Sequence, residues 1–256
     1  MLLAVDVGNT QTHLGAFRGA ELLYHWRFQT RAGMTGDEIA ERISAFMGLR
    51  GMRLADVEAV IVSSVVPPLG AQYELLVERY IEGGRLFIVG PGLRTGMPIR
   101  IDNPHEVGAD RLVNAVAAYE RFRGACCVVD FGTGINFDAV SAQGEYVGGA
   151  IAPGVEISLT ALTERGARIP RIDLDEPATA IGKSTRAAIQ SGVVYGFAGL
   201  IDGVATRIAE ELGGGDVPFV ATGGLARAIV PFCKSISEID ELLTLTGLRL
   251  IYDRNA

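Results

Sequence analysis

Cysteine is scarce in this sequence, with three copies among 256 residues. Cys126 and Cys127 are adjacent in the run ACCVVD, and Cys233 stands apart, so they form neither a disulfide framework nor a metal motif. Because neighbouring strand residues point to opposite faces, we interpret the adjacent pair as small buried hydrophobic residues. Reduced cysteines fit a cytoplasmic protein. The three histidines are also too scattered to predict a metal site.

Positive charge and long apolar runs are lacking as well. The formal net charge is -7, and no cluster of Lys or Arg predicts binding to nucleic acid or to an anionic membrane. Apolar runs are broken well before the roughly 20 residues that a membrane span needs. Asp6 interrupts the apolar start of the chain and no basic segment precedes it, so we expect no signal peptide. An anionic ligand must therefore be held by a local site.

What is present is a regular alternation of predicted strands and helices. Three strands are expected within residues 2–28, and a helix follows at 37–49, with Thr35 as its candidate N-cap. This alternation predicts an α/β fold. The remaining predicted elements are strands at 57–66, 85–90, 125–132, 135–142, 145–153 and 217–224, helices at 67–80, 107–123, 155–167, 184–212 and 225–232, and a helical or mixed segment at 244–254.

The chain repeats its opening about halfway along. One predicted strand ends in DVGN (6–9) and a later one ends in DFGT (130–133), and each is followed by a returning strand. A shared strand, Asp-x-Gly turn and hairpin indicate two duplicated halves. We therefore predict an N-terminal lobe of residues 1–115 and a C-terminal lobe of residues 116–256.

The first of these turns, DVGNTQT, has the chemistry of a phosphate-binding loop. Gly8 permits close approach of the backbone, and Asn9, Thr10 and Thr12 add hydrogen-bond donors. The carboxylate of Asp6 can hold a cation or its water. Such a turn alone fits an ordinary hairpin equally well. Its repetition favours two loops that grip one polyphosphate from both sides of a cleft.

The segment PHEVGADRLVN places Gly108, Asp110 and Arg111 at the start of a helix. An Asp is favourable there for helical reasons alone, because it complements the macrodipole and the unpaired N–H groups. The functional alternative is that the neighbouring Arg keeps Asp110 ionised, so that it accepts the proton of an attacking hydroxyl. The Arg fork would then bind an acidic group of substrate or phosphate.

Three further segments allow either a ligand contact or a structural role. GGAIAPG (148–154) fits a ligand-facing turn or a tight strand-to-helix connection, and TGG (222–224) lies where a nucleotide could rest on a helix N-terminus. IGKST (181–185) resembles the end of a Walker motif, but the upstream glycine is absent and we reject that interpretation. Its Lys, Ser and Thr fit a helix cap or substrate contacts. His13 either touches ligand or packs across strands.

In this order, the motifs DVGNTQT, GADR, DFGT, GGAIAPG, IGKST and TGG closely resemble those of the type III pantothenate kinases, over essentially the whole chain. The resemblance implies a duplicated actin-like (ribonuclease H-like) ATPase fold, with two lobes and an ATP cleft between them, and a homodimer. It implies transfer of the ATP γ-phosphate to the primary hydroxyl of pantothenate, the first step of coenzyme A synthesis. The implied cofactors are Mg²⁺ with ATP and a monovalent cation, K⁺ or NH₄⁺.

The resemblance also assigns roles to residues. Asp130 is the implied ligand of the monovalent cation, and Asp110 is the implied proton acceptor. The implied pantothenate contacts are Gly108, Ala109, Asp110, Arg111 and Thr185. The implied ATP contacts are Asp6, Val7, Gly8, Asn9, Thr10, Gln11, Thr12, His13 and Thr133.

The second hairpin departs from the family pattern. After DFGT the family usually continues with an alanine and further threonines, whereas this chain has Gly134, Ile135 and Asn136. Loss of a charge-assisted contact costs roughly 1.5–3 kcal/mol, which would weaken ATP binding or turnover about tenfold or more. One alternative is therefore a catalytically weak or inactive paralogue that binds nucleotide or pantothenate and regulates a partner protein. Another is an actin-like phosphatase or sugar kinase, which would act without pantothenate.

Overall fold

The computed structural model describes residues 1–165 and 174–256. The chain divides into two compact units. The N-terminal unit comprises Met1–Gly96, His105–Ala117 and Leu243–Ala256, and the C-terminal unit comprises Met97–Pro104 and Ala118–Leu242. The division into lobes at residues 115 and 116 stays a prediction. The units are not continuous in sequence, since the last segment of the chain belongs to the N-terminal one.

Strands and helices alternate along the described residues, as the sequence predicted. The strands are β1 Leu2–Val7, β2 Gln11–Arg18, β3 Glu21–Gln29, β4 Ala59–Ser64, β5 Arg85–Ile88, β6 Cys126–Phe131, β7 Gly134–Val140, β8 Tyr146–Pro153, β9 Phe219–Thr222 and β10 Glu238–Ile239. The α-helices are α1 Gly36–Gly48, α2 Pro67–Tyr80, α3 Ala109–Phe122, α4 Val155–Arg165, α5 Thr185–Glu211, α6 Ala226–Ile229 and α7 Leu243–Asp253. The predicted last two residues of the fourth helix, Gly166 and Ala167, lie outside the described residues.

The two sheets have the same topology. The first has the strand order β3-β2-β1-β4-β5 and the second, read from its other edge, β8-β7-β6-β9-β10. In each, three antiparallel strands form a meander, a fourth strand pairs in parallel with the first strand of the meander, and a fifth pairs in parallel with the fourth. The predicted duplication is therefore confirmed in strand order and in strand direction.

Local sequence explains how the first helices begin. The Thr35 hydroxyl accepts a hydrogen bond from the Glu38 N–H, and the Glu38 carboxylate accepts one from the Thr35 N–H, which confirms Thr35 as the N-cap of α1. Helix α2 starts with a proline. The absence of its N–H costs no hydrogen bond there, because the first N–H groups of a helix have no partner within the helix. Ile39 and Ile43 are buried on one face of α1 and join the core of this unit.

The first sheet is covered by helices that are distant in sequence. Its core includes Val5, Leu14 and Val62 and receives α1 and α2. Helix α7 packs against β1, β2 and β4, and Gly247 lets its backbone approach α3, because a Cβ there would lie 2.2 Å from the Val113 carbonyl oxygen. The predicted helical or mixed end of the chain is thus a helix of the N-terminal unit.

The second sheet has its own core, formed largely by β6, β7 and α5. Cys126 and Cys127 are fully buried, and burial raises the pKa of the Cys126 thiol to about 12, so the interpretation of this pair as buried small residues is confirmed. Within the part of the chain that the structure describes, α5 is the one helix with the length and composition of a membrane span. Its buried side, which includes Val194 and Ile201, packs into this core.

Candidate active site

The first hairpin, between β1 and β2, holds the segment DVGNTQT. The Gly8 N–H donates to the Gln11 carbonyl oxygen over 3.1 Å, and a Cβ at position 8 would lie 3.0 Å from that oxygen. Asn9 and Thr10 are exposed at the tip. The binding of phosphate by their backbone and side-chain donors stays a prediction.

Thr12 supports this hairpin from the core side. Its hydroxyl is buried and lies 2.8 Å from the Thr30 hydroxyl, and the Thr30 N–H donates to the Thr10 carbonyl oxygen over 2.9 Å. The Val7 side chain is also fully buried in the core. The Thr12 hydroxyl therefore links the hairpin to the end of β3, and its contact with ATP stays a prediction.

Asp6 and His13 stand opposite each other on β1 and β2. His13 is buried, and its Nε2 lies 3.2 Å from Nδ1 of His25. Burial, with smaller contributions from the charges of Arg27 and His25, lowers the pKa of His13 to about 3. The imidazole of His13 is consequently neutral at physiological pH. The structure shows the cross-strand packing role, and the ATP contact of His13 stays a prediction.

The second hairpin brings three sequence motifs together. Within DFGT, the Gly132 N–H donates to the Gly134 carbonyl oxygen over 3.0 Å. Gly154, which ends GGAIAPG, donates its N–H to the Thr133 carbonyl oxygen over 3.1 Å. Gly223, the middle residue of TGG, lies against Asp130, since a Cβ there would be 2.6 Å from both the Asp130 Oδ1 and the Phe131 carbonyl oxygen. The proximity of TGG to Asp130 is a feature that sequence reasoning missed.

Gly223 has a second signature of a constrained position. Its φ is +93°, in the left-handed region that favours glycine. The Asp130 Oδ1 and the Phe131 carbonyl oxygen therefore both lie so close to the Gly223 backbone that only a residue without a side chain fits there. Carboxylate and carbonyl oxygens are the ligands that hard cations prefer. The role of Asp130 as ligand of a monovalent cation stays a prediction.

The position of Ile135 changes the expectation drawn from the second hairpin. Ile135 is fully buried and belongs to the core of the C-terminal unit, together with Phe137 two residues further along β7. A threonine at this position would direct its hydroxyl into that core. The expected loss of a phosphate-binding donor at Ile135 is therefore wrong. Asn136 is half-buried and stands opposite Asp130 in the sheet.

Asp110 lies in the first turn of α3 and folds back on its own backbone. Its Oδ1 accepts a hydrogen bond of 2.8 Å from the Arg111 N–H. Burial raises the pKa of the Asp110 carboxyl, and the Arg111 N–H and charge oppose that shift. The direction is thus opposite to the one expected from the neighbouring Arg alone. A carboxylate with a raised pKa is a better proton acceptor, because general bases work best when their pKa lies nearer the operating pH.

Gly108 makes room for that carboxylate. A Cβ at position 108 would lie 2.5 Å from the Asp110 Oδ1, and the Gly108 carbonyl oxygen accepts the Leu112 N–H over 3.1 Å. Gly108, Ala109, Asp110 and Arg111 therefore form one compact helix start. Their contacts with pantothenate stay predictions.

Of the alternatives for IGKST, the helix cap is observed. The Ser184 hydroxyl accepts a hydrogen bond of 3.2 Å from the Ala187 N–H and caps α5. Thr185 is exposed and lines a largely apolar cavity of about 760 Å³ between α4 and α5. Among the residues described, no group of three or more His, Cys, Asp or Glu side chains could hold a metal ion.

Comparisons with known proteins agree with this arrangement. A family described as type III pantothenate kinase matches residues 2–207. The chain is 53% identical over 255 residues to a type III pantothenate kinase of Anaeromyxobacter sp. (strain Fw109-5), covering 100% of each chain. It is 51% identical over 255 residues to a type III pantothenate kinase of Myxococcus xanthus (strain DK1622), covering 100% of this chain and 99% of the relative.

The fold also has solved neighbours. A structure described as a 2-dehydro-3-deoxygalactonokinase from Sinorhizobium meliloti matches with a TM-score of 0.60 at 13% identity, over 100% of this chain and 99% of the other. At this identity the likeness concerns the fold alone. The duplicated actin-like fold expected from the sequence is confirmed by this neighbour and by the shared topology of the two sheets.

Proposed function

The chain belongs to the type III pantothenate kinase family, and we propose from this membership how its residues transfer the γ-phosphate of ATP to pantothenate. Pantothenate phosphorylation opens coenzyme A synthesis. The observation that carries the assignment of roles is the half-buried Asp110 at the start of α3, with its raised pKa. Its carboxylate accepts the proton of the pantothenate hydroxyl as that oxygen attacks the γ-phosphorus. Gly108, Ala109, Arg111 and Thr185 bind pantothenate.

The two hairpins hold the nucleotide. Backbone N–H groups at Asn9 and Thr10, exposed at the hairpin tip, bind phosphate oxygens, and Thr133 adds a contact from the second hairpin. In this proposal Asp6, half-buried at the end of β1, would hold Mg²⁺, an ion that usually keeps several waters and binds one or two carboxylates besides substrate phosphates. When bound, the divalent ion offsets negative charge that develops on the transferred phosphoryl group.

A monovalent cation, K⁺ or NH₄⁺, is the second proposed cofactor. Asp130 and the Phe131 carbonyl oxygen supply its ligands, and both oxygens lie on the side of the hairpin that faces Gly223. Both oxygens sit at the second phosphate hairpin. A cation held there would lower the repulsion between Asp130 and the polyphosphate.

We also propose that the protein works as a homodimer in the cytoplasm. The exposed side of α4 and α5 carries large apolar residues, among them Ile157 (48% exposed), Leu162 (43%) and Tyr195 (37%). Covering them with a second copy would remove apolar surface from water. Light scattering after gel filtration tests this: Leu162→Lys should give monomers, whereas Thr160→Lys, an exposed site on the same helix, should leave dimers. A dimeric Leu162→Lys protein would contradict the assignment of this face.

The kinase proposal is tested by direct detection of the product. Purified protein with ATP, Mg²⁺, potassium or ammonium, and pantothenate should form phosphopantothenate, observed by mass spectrometry. Asp110→Asn should lose turnover while nucleotide binding is kept. Absence of product from the unaltered protein would sink the proposal, and ATP turnover that needs no pantothenate would favour the phosphatase or sugar kinase alternative. The regulatory alternative has no support in the comparisons, in which the relatives are named as kinases.

A further inference from the structure

Arg27 lies beside the first phosphate hairpin at a position outside the motifs that identify the family. It stands directly opposite His13, and His13 stands directly opposite Asp6. Residues directly opposite each other in a sheet project from the same face. Arg27, His13 and Asp6 therefore form a row across β3, β2 and β1. The opposite face at this end of the sheet is turned to the core and carries Val5 and Leu14.

A small cavity adjoins this row. It has a volume of about 370 Å³ and is lined by Thr10 and Gln11 of the hairpin and by Arg27, Phe28 and Gln29 of β3. Arg27 is exposed. Its guanidinium can therefore meet a ligand that is already held at the hairpin tip, without a change in the sheet.

The hairpin itself supplies no positively charged side chain to offset the charge of a polyphosphate. Residues 6–13 contain no Lys or Arg, and Asp6 adds a negative charge at the strand end. A polyphosphate carries more negative charge than one divalent ion offsets. The His13 imidazole is buried, and its Nε2 lies 3.2 Å from Nδ1 of His25, whereas Arg27 in the same row is exposed.

We propose that Arg27 is a phosphate-binding residue of this kinase, donating hydrogen bonds from its guanidinium to the polyphosphate of the nucleotide at the first hairpin. An Arg fork matches two phosphate oxygens, and its charge-assisted bonds are about twice as strong as neutral ones. The inference rests on the proposed function for the identity of the nucleotide. It assigns to β3 a direct part in ATP binding.

The test compares binding of ATP with binding of adenosine, which lacks the phosphates, by ligand-observed NMR titration without pantothenate. Arg27→Gln should weaken ATP binding about tenfold to a hundredfold and leave adenosine binding unchanged. Arg27→Lys should lie between, because Lys retains the charge but loses the fork. Arg18→Gln, at the far end of β2 and also exposed, is the matched control and should bind both ligands as the unaltered protein does.

Equal ATP affinity in Arg27→Gln and the unaltered protein would overturn the inference, and so would equal losses for ATP and adenosine. If Arg27→Gln is unfolded by circular dichroism, Arg27→Lys decides: weaker ATP binding with unchanged adenosine binding supports the role, and unchanged ATP binding refutes it. Because pantothenate is absent from these titrations, they remain readable even if no phosphopantothenate is formed. Failure of the kinase assignment is thereby distinguishable from failure of the Arg27 assignment.

Discussion

Gly108→Ala should damage catalysis far more than it damages the fold. The new Cβ would lie 2.5 Å from the Asp110 Oδ1, so the carboxylate must retreat by about 0.5–0.9 Å to restore an ordinary contact. The backbone at position 108 has no positive φ, and alanine is allowed there. The displaced atom ends a flexible side chain, so the conformational cost is about 0.5–1.5 kcal/mol.

The loss of activity follows from that displacement. A misplacement of about 1 Å at a reacting group can reduce the rate roughly a hundredfold. We therefore expect kcat to fall about tenfold to a hundredfold, which corresponds to about 1.4–2.7 kcal/mol. The assay couples ADP release to NADH oxidation at saturating ATP and pantothenate. Gly70→Ala on α2, where a Cβ meets nothing within 4 Å, is the matched control and should retain full activity.

The pH dependence distinguishes a displaced carboxylate from general damage. Burial raises the pKa of Asp110, so a carboxylate pushed toward water should have a lower pKa than in the unaltered protein. The acid limb of the kcat profile should then move to lower pH in Gly108→Ala. An unchanged kcat would refute the reasoning, and so would a reduced kcat whose acid limb stays in place.

Three further predictions concern the other parts of the site. Asp110→Asn should be more thermally stable than the unaltered protein at pH 8 but not at pH 3. The pKa of the Asp110 carboxyl is raised in the folded protein, so the unaltered protein loses stability as the pH rises from the ordinary pKa of 3.8 through the folded pKa, whereas Asn does not ionise. Thermal melts at the two pH values check the sign. Gly223→Ala should raise the potassium concentration needed for half-maximal activity, since its Cβ would meet the Asp130 Oδ1 at 2.6 Å, and potassium titrations that match those of the unaltered protein would contradict the assigned cation site. Ile135→Thr should lower the free energy of unfolding by roughly 1–3 kcal/mol without raising kcat, because it buries a hydroxyl in the core. Urea unfolding measures the stability and the coupled assay measures kcat. A gain in activity would show that position 135 serves the phosphate loop.

Features encoded in short segments were predictable from the sequence. The Thr35 cap needs only residues within one helical turn, and its reciprocal bonds with Glu38 are present. The two Asp-x-Gly hairpins were visible as a repeated local pattern. Their identical strand order follows because each repeat carries the same succession of strands and helices.

Features that depend on contacts distant in sequence were not predictable in the same way. Gly223 meets Asp130 because β9 pairs in parallel with β6, and no local pattern encodes that approach. The two-residue strand β10 is too short to show a periodicity. Ile135 was interpreted by comparison with the family as a lost phosphate contact. The alternation of faces along β7 instead places its side chain on the core face, together with Phe137. Assigning alternate residues of this strand to opposite faces would have predicted that Ile135 is buried.

The packing of α7 against β1 has a consequence for how the protein is made. Strand β1, which carries Asp6, is synthesised before the C-terminal unit, whereas α7 is synthesised after it. The face of the sheet that α7 covers therefore has no helix available until the C-terminal unit has left the ribosome. The strand of the phosphate hairpin is made early relative to the helix that packs on it, and its scaffold is completed only after the second unit has been synthesised.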